Sequence, residues 1–163
     1  DVTKTSDVQK YVQHTVNTFG KIDVFFNNAG IEGVVVPLTE YPEDAFDKLI
    51  NVNVKGVWMG LKYVLPQMND GGSIINTSSV AGLMGTANMI AYTASKHAVI
   101  GITRTAALEA APRGIRVKME ACQWHKGFLL KIIPSVNIIL GIFLNFENKG
   151  NNGTTVFWLQ LKI

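Results

Sequence analysis

Cysteine is all but absent: Cys122 is the only one in 163 residues. No disulfide can close within the chain, and no multi-cysteine zinc cluster can be built. Charge is sparse as well, at 17% of residues against 47% hydrophobic. That is a globular mix, and it excludes disordered and low-complexity classes. Neither sign of charge gathers into a run. The 15 basic and 12 acidic residues leave a formal charge of +3, and the scattered cations make no footprint for a nucleic acid. The three histidines, His14, His97 and His125, lack metal-ligand spacing, so no metal is expected. Long apolar runs are also missing. Residues 128–144, FLLKIIPSVNIILGIFL, hold Lys131, Pro134 and Asn137, whereas a membrane span needs about 20 mostly apolar residues. No membrane partner is expected, and a cytoplasmic location is. The chain opens on Asp1 rather than Met, so the lack of a leader carries little weight in that expectation.

What is present is an alternation of helical and strand-like segments. Val8, Val12, Val16 and Phe19 recur at helical spacing, with Thr5 or Ser6 as candidate cap and Gly20 at the C-terminus. Ile22 to Phe26 is a short apolar run that enters Asn27-Asn28-Ala29-Gly30, a buried strand followed by a loop. Residues 31–41 form a connection. Pro42, Glu43 and Asp44 suit the start of a helix, and Phe46, Leu49, Ile50, Val57, Leu61 and Val64 continue it toward Pro66. Gly71-Gly72 punctuates, and Ser73 to Ser79 reads as a strand. A loop from Val80 to Asn88 precedes a helix from about Ile90 to Ala111. Ile115-Arg116-Val117 is a third strand. Thr154 to Leu161 is a candidate for one more. The expected elements are therefore helices near 6–19, 42–68 and 91–111 and strands near 22–27, 72–78 and 114–118. Their alternation predicts an α/β fold, a parallel sheet with helices on both faces and right-handed crossovers.

Chemistry gathers at the strand ends. Tyr92 and Lys96 stand at i and i+4 on the third helix and share a face. Ser79 ends the strand before it, Asn28, Ala29 and Gly30 follow the first strand, and Asn53 lies inside the second helix. Ligands of parallel sheets bind beyond the carboxyl ends of strands. A free phenol titrates near 10, too high for a general base at neutral pH, and a nearby ammonium stabilises the phenolate. Tyr92 can then exchange a proton with a substrate oxygen, which Ser79 also hydrogen-bonds. Asn53 can hold a water behind Lys96 if the helix is locally opened, and Gly30 lets a flat ligand approach the backbone. A Tyr-x-x-x-Lys pair alone arises by chance in roughly one such chain in three. The other residues make the pattern specific.

With these residues in view, the sequence resembles the short-chain dehydrogenase/reductase family. The matching segments are NNAG at 27–30, INVNVKGVW at 50–58, GGSIINTSSVAG at 71–82, YTASK at 92–96 and HAVIGITRTAALEAAPRGIRV at 97–117. The resemblance covers about residues 1–118. It implies a partial Rossmann-like, doubly wound parallel sheet, the second half of that fold, and a hydride transfer between NAD or NADP and an alcohol or ketone. By the same resemblance Tyr92 is the acid/base, Lys96 its partner and the anchor of the nicotinamide ribose, Ser79 the substrate-oxygen binder and Asn53 the holder of a relay water. Asn28, Ala29 and Gly30 form the cofactor-side turn, and Asp1-Val2 corresponds to a pair that contacts the adenine. A homodimer or homotetramer using helices 42–68 and 91–111 is implied too, with Ile100, Ile102 and Leu108 facing a sheet and a neighbour. The segment 31–36 leans toward NAD.

The departures shape a second reading. The family's Thr-Gly-x-x-x-Gly-x-Gly turn has no counterpart among the 163 residues, and after Val117 the chain reads Lys118 to Trp124 where the family has an Asn-containing stretch and a Pro-Gly turn. Residues 119–163 are an atypical, unmatched tail, expected of a read-through, a frameshift or an altered exon end, and the chain is read as a fragment. The alternative function is a truncated, non-catalytic relative acting as a binding or oligomerisation module, and a third is membrane association through 128–144. The first strand would expose an apolar edge unless the tail or a partner covers it.

Overall fold

The computed structural model describes residues 1–121 and 159–161. Helix α1, Thr5–Phe19, forms because Val8, Val12 and Thr15 line one buried face, and it ends where Gly20 takes φ +79°, a conformation that favours glycine. Neither Thr5 nor Ser6 caps it. Lys4 holds the cap position without a side-chain bond, since an ammonium has no acceptor to offer, and its carbonyl accepts from Asp7 N and Val8 N, which starts the helix ahead of both.

Three parallel strands carry the sheet: β1, Ile22–Asn27; β2, Met68–Ser78; and β3, Arg116–Ala121. A short strand β4, Leu159–Leu161, pairs antiparallel with Val24–Phe26, giving the order β3-β2-β1-β4. Thus the end of the chain supplies a strand to the edge of β1 that the apolar sequence left open, and such pairing removes an aggregation-prone edge. The stretch 128–144 lies outside the described residues. Among those described, no helix is long and apolar enough to cross a membrane.

β2 begins four residues before the expected 72. Ile22 pairs with Met68 but Val24 already pairs with Ser73, so Gly71 and Gly72 sit within a bulged strand rather than between elements. Gly71 turns at φ +79°, and Asn69 Nδ2 donates to Asp23 Oδ1 at 2.7 Å across the bulge. β3 starts after Gly114, which ends the preceding 3₁₀ turn in the left-handed region at φ +65°, and it continues past Lys118 to Ala121, opposite Ser78.

The long helix expected over 42–68 is broken. It resolves into α2, Glu43–Ile50, a π-helical turn at Asn51–Lys55, α3, Gly56–Val64, and a 3₁₀ turn at Leu65–Gln67. The π turn falls on Asn53, whose buried amide bonds a loop outside the helix. Helix α4, Ile90–Ala110, lies between β2 and β3 in the chain. Both crossovers step the same way across the sheet, and right-handedness puts their helices on one face. Accordingly α3 touches α1 and α4, and α4 packs on β2 and β3. Val12, Phe25, Val57, Leu61, Ile74, Val99 and Val117 form the core of that layer. Of the two helical layers of a doubly wound sheet, the described residues supply this one. On the opposite face Val24, Phe26 and Ile75 are only half-buried.

A row of buried polar groups runs through this core. Asn27 Nδ2 donates to Val57 O at 2.9 Å and to Asn76 Oδ1 at 3.1 Å. Asn76 Nδ2 donates to Thr103 Oγ1 at 2.9 Å, which donates to Val99 O at 2.7 Å. Satisfied inside a low-dielectric core, such a chain fixes geometry, and it clamps the ends of β1 and β2 to α3 and α4. Asn76→Leu is expected to cost about 1–3 kcal/mol, the penalty of orphaning buried partners. A lowered urea midpoint with an unchanged slope checks it, and a midpoint equal to the parent's would refute it.

Candidate active site

β1 and β2 end side by side, and the chemistry-bearing residues meet beyond those ends. Lys96 is 5% exposed. Its Nζ donates to Thr77 O at 3.0 Å and stands 5.5 Å from the centre of the Tyr92 ring. A cation within about 6 Å of an aromatic face is attracted by the ring quadrupole, so the ammonium is held both by a β2 carbonyl and by the phenol one helical turn away. The main chain of α4 is pinned as well, since Ser78 Oγ donates to Lys96 O at 3.1 Å.

Asn53 is 1% exposed and works in three directions. Its Oδ1 accepts from Ile31 N at 2.8 Å, and its Nδ2 donates to Ile31 O at 2.8 Å and to Ser95 Oγ at 3.2 Å. Ser95 Oγ in turn donates to Tyr92 O at 2.7 Å. The π turn is therefore tied to the loop after β1 and to the Tyr92 turn of α4. Gly30 lies directly over this junction. A Cβ placed on it would stand 3.3 Å from Asn53 Oδ1 and 3.7 Å from Lys96 Nζ, so the bare backbone keeps the space beside the ammonium open.

The sequence-derived residues fall into two groups. Gly30, Asn53, Tyr92 and Lys96 come together as described. Asn28 joins them through Thr77, whose Oγ1 donates to Asn28 Oδ1 at 2.6 Å while its carbonyl takes Lys96. Ala29 is buried behind the same turn. Ser79 follows β2, and its Oγ accepts from Ala81 N at 3.2 Å, capping the 3₁₀ turn Val80–Gly82. Asp1 and Val2 lie apart. The Asp1 carboxylate accepts from Thr3 N and Thr3 Oγ1, and Val2 packs where a Cβ on Gly56 would meet its Cγ2 at 2.9 Å.

Several participants were not read from the sequence as site residues: Ser95, Thr77, Ser78, Asn27 and Asn76. For Ser95 a signal existed, because a serine three residues after Tyr92 can bond back to the helix carbonyl. For Asn27 and Asn76 it was the two-residue period, which puts an amide on the core face beside Phe25 and Ile74.

Gly82 gives a sharp test of this packing. A Cβ there would come 2.8 Å from Lys96 O and 2.8 Å from Ser78 Oγ, both of them held. Gly82→Ala is expected to destabilise by about 1–3 kcal/mol, as overpacking does, and to lower activity by displacing the turn that carries Lys96. Thermal unfolding checks it, and a variant as stable as the parent would show that the turn yields freely.

A parallel sheet with Asn, Tyr and Lys converging past its strand ends defines a Rossmann-like α/β architecture of the kind that binds nucleotides. Residues 1–127 match the family model for short chain dehydrogenase. The chain belongs to the short-chain dehydrogenase family. Levodione reductase of Leifsonia aquatica is 44% identical over 123 residues, 74% of this chain and 46% of that protein. The crystal structure of NAD+-bound xylitol dehydrogenase matches with a TM-score of 0.74 at 43% identity, covering 81% of this chain and 52% of that one. ElxO with NADP bound matches with a TM-score of 0.71 at 41% identity, covering 74% and 50%. The chain spans about half the length of the curated relatives it matches.

Proposed function

We propose that the protein is an NAD(P)-dependent oxidoreductase that interconverts an alcohol and a ketone, with Tyr92 as acid/base, Lys96 as its electrostatic partner and Ser79 and Asn53 completing the catalytic set. The carrying observation is the Lys96 ammonium, buried and fixed between Thr77 O and the Tyr92 ring. A cation held there favours negative charge on the phenol oxygen as a proton leaves it. Tyr92 then hands its proton to a substrate carbonyl oxygen, or takes one from a hydroxyl. Ser79 donates to the same oxygen, and Asn53 fixes the loop after β1 and the turn beneath Tyr92. Bound, the nicotinamide supplies or accepts the hydride.

The residues present fit the ribose side of that cofactor. The Lys96 ammonium lies next to the open backbone at Gly30 and 5.5 Å from the centre of the Tyr92 ring, and an ammonium and a phenol are donors suited to a vicinal diol. Asn28, Ala29 and Gly30 form the turn on this side, and Asp1 and Val2 are assigned the adenine end. NAD is favoured over NADP by the segment 31–36. Small-molecule substrates, a cytoplasmic location and a homodimer or homotetramer complete the reading. Trp58 on α3, with Lys62 Nζ 4.9 Å over its ring, and Leu108 on α4 are exposed on the helices assigned to the contact.

The test is oxidation of NADH and NADPH by the purified chain against a panel of ketones. Slow turnover above the buffer rate, faster with NADH, is expected. No turnover with any ketone at millimolar cofactor would favour the second reading, a non-catalytic binding module.

A further inference from the structure

Among the described residues ten large hydrophobic side chains are exposed, and six of them, Val34, Val35, Leu38, Leu83, Met84 and Ile90, stand on two segments. That clustering is too local for the scattered apolar exposure of an ordinary surface. The segments follow the ends of β1 and β2, and the second leads directly into the Tyr92–Lys96 turn of α4. They are joined to each other, since Val36 N donates to Asn88 O at 3.0 Å, with Asn88 held at φ +64°, a conformation asparagine tolerates better than most residues.

Both segments are also anchored to the site itself. Ile31 is gripped through both backbone groups by Asn53. Gly33, at φ +80°, leaves so little room that a Cβ would meet Leu49 Cδ1 at 2.6 Å and Tyr41 Oη at 2.7 Å. On the other segment, Gly82 is pressed on Lys96 O immediately before Leu83 and Met84. The apolar side chains are thus presented outward on backbones that Asn53 and Lys96 hold. Charge agrees with this. Across residues 31–38 and 80–90 the only charged side chain is Glu32, and there is no Lys or Arg.

We propose that these two segments form the substrate rim and select an uncharged, hydrocarbon-bodied secondary alcohol or ketone over polyhydroxylated or anionic ones. The proposal rests on the oxidoreductase reading for the reacting oxygen. Selection follows from desolvation. Apolar side chains gain by covering carbon, whereas they offer a polyol no partners for the hydroxyls they strip of water, and an anion finds no cation on either segment.

The experiment is ligand-observed NMR on the full chain with NAD+ added, using cyclohexanol and xylitol as probes. Cyclohexanol is expected to bind at least tenfold more tightly than xylitol. The double variant Leu83→Asn/Met84→Gln, both positions exposed, should weaken cyclohexanol at least fivefold and leave xylitol unchanged, and Val35→Thr should weaken it less. Equal affinities, no binding of cyclohexanol, or a double variant that binds it as the parent does would overturn the proposal. So would a parent that self-associates in sedimentation while the double variant does not, which assigns the rim to a second copy. Turnover separates the two readings. A chain that prefers cyclohexanol but turns over no ketone refutes the catalytic reading alone, and one that turns over polyols as fast as cyclic alcohols refutes this one alone.

Discussion

Replacing Tyr92 by phenylalanine is expected to lower ketone turnover by about 10²–10⁴-fold, the usual worth of a positioned proton donor, and to leave the fold intact. The change removes one hydroxyl from a half-buried side chain. The ring that faces Lys96 Nζ at 5.5 Å remains, and so does the Tyr92 carbonyl that accepts from Ser95 Oγ at 2.7 Å. Stability should therefore move by no more than the worth of one hydrogen bond, about 1 ± 0.5 kcal/mol, far less than the loss of activity. Activity and thermal midpoint measured on the same preparation decide the matter. A fall of less than tenfold would remove Tyr92 from the proton path. A fall accompanied by a midpoint many degrees lower would mean that the hydroxyl holds structure rather than moves a proton.

How much of this was legible beforehand follows the physics of each signal. The parallel order of β1, β2 and β3 was readable because apolar runs and helical periods alternate, and right-handed crossovers then leave few topologies. The Tyr92–Lys96 pair was readable because helical spacing alone puts i and i+4 on one face. The break in the long helix was not, for Val57, Leu61 and Val64 keep a helical period straight through the π turn. What opens the turn is a tertiary contact, Asn53 reaching Ile31, and periodicity carries no trace of it. Likewise Gly71 and Gly72 read as a stop, although pairing with β1 draws them into a bulge. Ser79 was placed correctly at the end of β2, yet its cap on Ala81 depends on a loop conformation that composition does not specify. The strand β4 was legible as a candidate strand and the free edge of β1 as a place the tail could cover, whereas the antiparallel register on Val24–Phe26 is set by tertiary packing that no local signal carries.

The second large effect concerns affinity. The purified 163-residue chain is expected to bind NAD+ about 10²–10⁴-fold more weakly than the same residues joined to a strand–turn–helix bearing Thr-Gly-x-x-x-Gly-x-Gly. That motif occurs nowhere in the 163 residues. In the fold to which the chain belongs, a pyrophosphate sits on backbone donors at a helix N-terminus next to such a turn. A hydrogen bond to a charged group is worth about 1.5–3 kcal/mol, so two such contacts amount to about 3–6 kcal/mol, and each 1.4 kcal/mol is a factor of about ten in affinity. On the proposed reading the groups present, Lys96, Tyr92, the turn at Asn28 to Gly30 and the Asp1–Val2 pair, address the ribose and adenine ends and supply no pyrophosphate contact. Lys96 is moreover already engaged by Thr77 O at 3.0 Å, so any new bond from its ammonium must be shared with that carbonyl. Rate should suffer with affinity, because hydride transfer requires the reacting carbons held at near-attack distance. Calorimetric titration of both polypeptides with NAD+ measures the difference directly. Micromolar binding by the 163-residue chain alone would show that the ribose side suffices. Weak binding by both polypeptides would place the deficit at the Tyr92–Lys96 junction instead, and Gly30→Ala, which crowds that junction and leaves the pyrophosphate side untouched, would then change nothing.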